Sequence, residues 1–376
     1  MRSTYEVADI LQRNTGRLEQ WVPNLWHLRT LNALSVCRTQ ALGGHIDVCN
    51  NPECGKVNIS YNSCRNRHCP KCQGHKREQW IQSREQELFK APYYHVVFTL
   101  PEELNQFCLY KPKVMYKLLF RVAWQVINGF ASNGKFLGAQ TGMIAILHTW
   151  GQNLSFHPHL HCIVPGGGLT QSKKWKSVRG NNKFLFPVKA MSKVFRAKFA
   201  GELRKQFTLK DSLFKELFSK QWVVYCKKPF WGPAQVIEYL GRYTHKVAIS
   251  NHRIKNLENG KVSFTAKDYR KGGKKHIITM NDYEFIRRFC LHILPKGFTR
   301  IRHYGILSSS LKKACVPLLQ QELGRPLPRE NQPLQTGTCF KCKTGKLITI
   351  FHFGSRGPPN KKLINMKIEY ALNQAF

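Results

Sequence analysis

The stretch "FHPHLHCIVPGGG", Phe156 to Gly168, sets imidazoles at 157, 159 and 161 and then turns apolar and glycine-rich. Alternation of this kind marks a β-strand, in which residues two apart share a face. His159 and His161 therefore point together, while Leu160 and Cys162 face the opposite way, into a core. Two neighbouring imidazoles on one face offer nitrogen donors to a divalent ion. Core or surface histidines would show the same spacing, so the rest of the chain has to decide between the two readings.

The chain has 376 residues, enough for two or three domains, and its 60 Lys and Arg against 21 Asp and Glu give a net charge of +39. The excess runs from Lys56 to Lys362 and points to a polyanionic partner, most commonly nucleic acid. No run of 18 apolar residues is present, which excludes a conventional membrane span. The N-terminus lacks an apolar signal core, so a cytoplasmic location is expected, on the nucleoid when DNA is bound. There the 13 cysteines stay reduced, and clustered ones read as metal ligands rather than disulfides.

Residues 3 to 35 read as two short helices by apolar spacing. The following segment, "CNNPECGKVNISYNSCRNRHCPKC", places Cys49, Cys54, Cys64, His68, Cys69 and Cys72 within 24 residues. Each of "CNNPEC" and "CPKC" is a turn that aims two thiolates at one ion, with "NISY" a short strand between them. Cys49, Cys54, Cys69 and Cys72 are the expected Zn²⁺ ligands, with Cys64 and His68 as rivals. Metal is expected to supply much of the folding energy of so short and polar a segment. The cations around it, Arg65 and Arg67 among them, suit phosphate contact.

Strands follow at "YYHVVFTL", "GMIAILHTW" and "HLHCIVP", with a long helical segment between the first two. Helices and a further strand after the glycines give an α+β domain with a largely antiparallel sheet. Beyond it, "PAQVIEYLGRYTHKVAI" reads as a helix with Pro233 in its first turn. Tyr239 and Tyr243 share one face of it, and Lys246 lies nearly on the same face. A tyrosine oxygen is able to attack a phosphodiester and a lysine to stabilise the charge that develops, although two tyrosines on a helix face equally serve packing.

Taken together, "HPHLHCIVPGGG", "YLGRY", "SCRNRHCPKC", "HVVFTLP", "HTWGQ" and "RIRHYGIL" resemble the rolling-circle transposases of the insertion-sequence-91 family, over about residues 10 to 345. These are HUH nucleases, so named for two histidines that flank an apolar residue. The resemblance implies a single-strand DNA endonuclease and strand transferase acting at transposon ends and target. In it Tyr243 is the leading nucleophile and Tyr239 a second one, with Lys246 as helper. The product is a 5′-phosphotyrosine and a free 3′ hydroxyl. It further implies Mg²⁺ or Mn²⁺ on His159 and His161 with a third ligand from the neighbouring strand, taken as Gln152, with His157 and His148 as rivals. A plasmid replication initiator or relaxase would share this chemistry, and a non-catalytic zinc protein would share only the cysteines.

The remaining residues read as DNA-contacting extensions. "GKVSFTAKDYRKGGKKHIITM" is a hairpin whose tip carries Arg270, Lys271, Lys274 and Lys275. Arg300, Arg302, His303 and Tyr304 suit charge and stacking contacts to single-stranded DNA, although packing explains Tyr304 as well. After a Pro- and Gln-rich linker, Cys339 and Cys342 form one more pair, which either borrows ligands from elsewhere or is a remnant. The expected division is 1–90 zinc module, 91–255 nuclease domain, 256–323 extension, and 324–376 linker with a poorly ordered basic tail.

Overall fold

The computed structural model describes residues 3–179, 185–227, 236, 241, 247–268, 271–326 and 337–373, with side chains except at 73–77 and 370–373. Tyr239, Tyr243, Lys246 and Arg270 lie outside the described residues. The chain opens with α1 (Val7–Gln12), α2 (Leu18–Trp21) and α3 (Leu25–Ser35). The hairpin of β1 (Gly44–Cys49) and β2 (Val57–Tyr61) follows, then α4 (Gln73–Glu85). Asn24 starts α3 by accepting hydrogen bonds from the backbone N–H groups of Trp26 and His27, as an N-cap does.

The middle of the chain supplies β3 (Tyr93–Thr99), α5 (Asn105–Tyr110), α6 (Pro112–Ser132), β4 (Gly142–Trp150) and β5 (Phe156–Pro165). A small ribbon of β6 (Gly167–Leu169) and β7 (Trp175–Ser177) precedes α7 (Val188–Arg204), α8 (Asp211–Ser219) and β8 (Val224–Cys226). The long helical segment read from sequence divides into α5 and α6 at Pro112, which is tolerated only in a first helical turn. The last third holds β9 (Ile254–Glu258), β10 (Lys261–Asp268), β11 (Lys274–Asn281), α9 (Asp282–Cys290), β12 (Ile301–Gly305), α10 (Lys312–Leu323), β13 (Leu347–Phe353) and α11 (Lys361–Asn373). The architecture is α+β with antiparallel sheets. No helix among the described residues is long and apolar enough to cross a membrane.

A five-stranded sheet in the order β12-β4-β5-β3-β8 forms the centre, with the histidine strand β5 in its middle. Its two faces differ as alternation requires. Leu160, Cys162 and Val164 pack with Val96 and Phe98 against α6 and α7, in a core that includes Leu119, Val126, Phe195 and Phe199. Burying side chains of this size contributes roughly 1.5–3 kcal/mol each. On the opposite face, Ile144, Ile146, Ile163 and Tyr93 pack with Ile81, Phe89, Ile306, Leu319 and Val236.

The observed boundaries depart from those expected in two places. β12 lies inside the segment read as an extension, yet it pairs with β4, Ile301 opposite Ile146, and so belongs to the central sheet. Phe351–Phe353, read as the start of a tail, ends a strand whose register runs from Gly44 opposite Phe353 to Cys49 opposite Leu347. The free edge of β1 left backbone groups to satisfy, and β13 satisfies them. The result is a three-stranded sheet in the order β13-β1-β2. The hairpin read at 260–280 is present as β10 and β11, with Gly272 and Gly273 at φ +65° and +82° in the turn. β9 joins it as a third strand. The N-terminal helices rest on this unit through an Arg13–Asp282 ion pair and an apolar cluster shared by Ile10, Leu31, Phe264 and Phe285.

Candidate functional site: a histidine triad and two cysteine centres

Strand register determines which imidazoles meet. His148 on β4 lies opposite His159 on β5, and His161 shares its face by alternation. The ligand atoms of the three lie within 4.8 Å of one another. His159 Nδ1–H donates to the His157 carbonyl at 2.6 Å, which leaves Nε2 to face inward, 3.1 Å from His161 Nε2. Nitrogens adjacent on an octahedral ion about 2.1 Å away stand roughly 3 Å apart, so the pair fits one divalent cation. His148 is 2 % exposed and stacks on Trp150 with centroids 4.5 Å apart, which fixes its ring plane.

One residue of this centre was not read as a site residue, although it opens the "HVVFTLP" motif. His95 on β3 sits with its Nε2 2.8 Å from His161 Nδ1, the rings stacked at 13°. When His161 Nδ1–H donates to His95, the His161 Nε2 lone pair is directed to the metal position. Burial, then the charge of Lys227, pushes the His95 imidazole down to about 3, so it stays neutral and able to accept. Parity along β3 was the available signal, since His95 falls in phase with the histidines of β5.

Gln152, read as the third ligand, lies in the turn between β4 and β5, where its carbonyl accepts from Arg253. The strand ends before it, and His148, four residues earlier and weighed as its rival, faces the pair. His157 is exposed and offers its backbone rather than its ring.

The cysteines form two groups, and neither is the set read from sequence. Cys49 and Cys54 stand apart from Cys69 and Cys72. The first group is Cys37, Cys64, Cys69 and Cys72. Its Sγ separations include 3.4 Å for Cys37–Cys72, 3.5 Å for Cys69–Cys37 and 3.6 Å for Cys64–Cys72. A tetrahedron with Zn–S of 2.3 Å has edges of roughly 3.8 Å, so these sulfurs need only small adjustments around an ion. The crowded thiols of Cys37, Cys64 and Cys69 hold the Cys72 thiol well below its ordinary range, which favours the thiolate a metal needs. Cys37 escaped the sequence reading because it lies 27 residues before Cys64 and outside any paired turn.

His68, the rival ligand, is not part of the group. Its Nε2 is buried without a hydrogen-bond partner among the described residues, and burial followed by the charges of Arg67 and Arg300 pushes it down to about 3. The second group is Cys49, Cys54, Cys339 and Cys342, again within 4.8 Å. It gives the C-terminal pair the ligands that it lacked in the sequence.

The residues read as DNA contacts separate into inward and outward sets. Arg67 donates to the Phe298 carbonyl, Arg302 lies 4.4 Å over the Phe120 ring, and Tyr304 stacks on Trp124 at 5.4 Å. Arg300 donates to the Leu147 carbonyl, and burial lowers its guanidinium to about 9. His303 has a buried Nδ1 without a partner among the described residues, and burial lowers it to about 4. These five side chains knit the protein together. Arg65 is exposed on the cysteine loop, and Lys271, Lys274 and Lys275 are exposed at the hairpin tip.

Comparison with known proteins agrees with this arrangement. Residues 10–100 match the family described as "Transposase zinc-binding domain", and residues 142–315 match the one described as "Putative transposase". A relative from Sinorhizobium fredii, "Putative transposase y4qJ", is 41% identical over 394 residues, covering 95% of this chain and 98% of the relative. The "Transposase for insertion sequence element IS801" of Pseudomonas savastanoi pv. phaseolicola is 28% identical over 314 residues, covering 80% of this chain and 75% of that one. No solved structure matches the chain. The N-terminal module binds Zn²⁺, and Cys37, Cys64, Cys69 and Cys72, all inside the matched span, bring their sulfurs within 4.8 Å of one another. A zinc module of this kind joined to the histidine-bearing sheet, with a relative that matches almost end to end, makes the chain a transposase of the insertion-sequence-91 family, a protein that cleaves DNA and transfers its strands.

Proposed function

We propose that this transposase nicks and rejoins single-stranded DNA at the ends of its element by the HUH tyrosine mechanism, in support of rolling-circle transposition. The observation that carries the reading is the convergence of His159 Nε2 and His161 Nε2, 3.1 Å apart, with His148 beside them on one sheet face. His148, His159 and His161 would hold a divalent ion, Mg²⁺ or Mn²⁺, which would supply Lewis-acid polarisation of the scissile phosphate. The all-nitrogen donor set favours manganese of the two.

Between residues 228 and 246, the stretch that carries the tyrosines, Val236 and Gly241 are described, and they support this reading. Val236 is fully buried against Ile144, Ile146 and Ile163, which lie on the same sheet face as the histidines. A Cβ at Gly241 would come within 2.3 Å of Ile81 Cδ1, so this part of the segment lies close against α4. Tyr243 attacks the phosphorus, the 3′ oxygen leaves, and the strand stays joined through its 5′ phosphate to the tyrosine. Tyr239 accepts the second end, and Lys246 stabilises the charge on the transferred phosphate. Lys271, Lys274, Lys275 and Arg65 grip the backbone, with Arg270 beside them in sequence. The work is done in the cytoplasm, at the nucleoid.

Incubation of 5′- and 3′-labelled end oligonucleotides with Mn²⁺ tests the proposal. Wild-type protein is expected to retain the label on the 5′-phosphate side in a denaturant-stable adduct, and Tyr243→Phe and His159→Ala to lose it. Undiminished adduct with Tyr243→Phe overturns the nucleophile. Cleavage that never yields an adduct overturns the mechanism.

A further inference from the structure

We propose that Cys49, Cys54, Cys339 and Cys342 bind a second zinc ion, and that this ion clasps the C-terminal segment of the chain onto the N-terminal module. Cys49 Sγ stands 3.6 Å from Cys342 Sγ, and Cys54 Sγ stands 3.7 Å from Cys339 Sγ. These separations match the edge of a zinc–thiolate tetrahedron, roughly 3.8 Å. They are far from the 2.03–2.05 Å of a disulfide, and all four thiols are free.

The backbone around the sulfurs is built as two facing turns. In one, the Cys339 N–H donates to the Gly345 carbonyl at 2.8 Å, and the Lys343 N–H to the Cys339 carbonyl at 2.9 Å. Lys343 holds φ at +61°. The Gly345 N–H donates to Cys342 Sγ at 3.2 Å, a bond that stabilises a thiolate. In the other turn, the Cys54 and Gly55 N–H groups both donate to the Asn51 carbonyl, at 3.0 and 3.1 Å.

The two turns also interlock. The Asn50 N–H donates to the Lys346 carbonyl at 2.9 Å, and the Lys346 N–H returns a bond to Asn50 Oδ1 at 2.7 Å. A Cβ at Gly345 would lie 2.4 Å from Cys49 Sγ, so only glycine lets the turns close on a common point. The sheet that carries them has a small apolar interior, chiefly Ile46 and Val48. β1, β2 and β13 contribute no residue to the three apolar clusters of the described residues, and Ile59, Tyr61 and Ile348 are exposed. Four thiolates joined across 285 residues between Cys54 and Cys339 supply the missing cross-link.

Native mass spectrometry of the full chain, purified under reducing conditions, tests the clasp. Wild type is expected to carry two zinc ions, and the Cys339→Ser/Cys342→Ser variant one. A wild type with one ion, or a double variant with two, overturns the proposal, as does a mass deficit that shows paired disulfides in place of metal. Cobalt titration of the apo wild-type chain does not depend on how well a variant folds. Tetrathiolate ligand-field bands are expected to grow to two equivalents, and saturation at one sinks the idea. Hydrogen exchange reads the fastening itself. In the one-zinc variant, amides of 44–49 and 347–353 are expected to lose protection at least tenfold while those of 142–165 keep theirs. Unchanged protection at 347–353 removes the clasp.

Discussion

The two sheets with metal-binding residues are held in opposite ways. The five-stranded sheet packs apolar side chains on both faces, and its histidines occupy positions that those cores have already determined. The three-stranded sheet β13-β1-β2 buries Ile46 and Val48 but adds no residue to the three large apolar clusters, and its first strand ends at Cys49. In the first, the fold creates the ligand geometry. In the second, under the clasp proposed above, the ligands hold the fold. Loss of a ligand should therefore cost catalysis in one sheet and structure in the other.

The largest expected effect comes from stripping metal. Structural zinc sites carry about 10–16 kcal/mol of apparent binding free energy near neutral pH. A strong chelator should therefore unfold the cysteine-bearing regions and leave the central sheet in place. Hydrogen exchange would show amides of 44–61 opening while those of 93–99 and 156–165 stay protected. Opening of both sheets together would erase the contrast.

A core truncation is the converse probe. Phe195 is fully buried and meets Phe98 at 5.0 Å and Trp222 at 5.4 Å between ring centroids. Phe195→Ala should destabilise the central domain by about 3–5 kcal/mol with no change in zinc content. Denaturant titration followed by metal analysis of the same sample checks both halves.

A third probe uses pH. His292 is 2 % exposed, with Nε2–H donating to the Leu154 carbonyl and Nδ1 near the Thr149 hydroxyl. Burial pushes this imidazole down to about 4, below the ordinary 6.5 or so of an unfolded histidine. The unfolded chain therefore takes the proton first. The stabilisation is complete above pH 6.5 and is lost as pH falls toward 4, by about 3 kcal/mol. Melting curves of His292→Gln should show a flatter acid limb than wild type over that window, and identical limbs would remove His292 as the cause.

The smallest effect sharpens the histidine side. His95→Phe keeps an aromatic ring but removes the acceptor for His161 Nδ1–H. Loss of such an outer partner weakens metal affinity about 10–100-fold. Mn²⁺ titration should detect that drop, with the melting temperature nearly unchanged, and rescue by His95→Gln would distinguish positioning from packing.

The legible part of this molecule was whatever repeats at short range. Alternation along Phe156–Pro165 was enough to put His159 and His161 on one face and Leu160 and Cys162 on the other. The hairpin at 260–280 followed from its paired strand patterns and its glycines. The paired cysteine turns announced zinc. The grouping of those cysteines was not legible, because thiols in one turn constrain only each other and carry no record of which second turn they meet.

The amino-acid order determined the α+β class, the histidine face and the metal-binding chemistry, since each depends on neighbours two to four residues apart. Tertiary structure alone decided three things. It brought His148 to the His159–His161 pair through the β4–β5 register, recruited Cys37 to the first cysteine group, and brought Cys339 and Cys342 to Cys49 and Cys54. Each of these joins residues from different elements, and which elements become neighbours is set by the burial and strand pairing of the whole chain rather than by any local pattern.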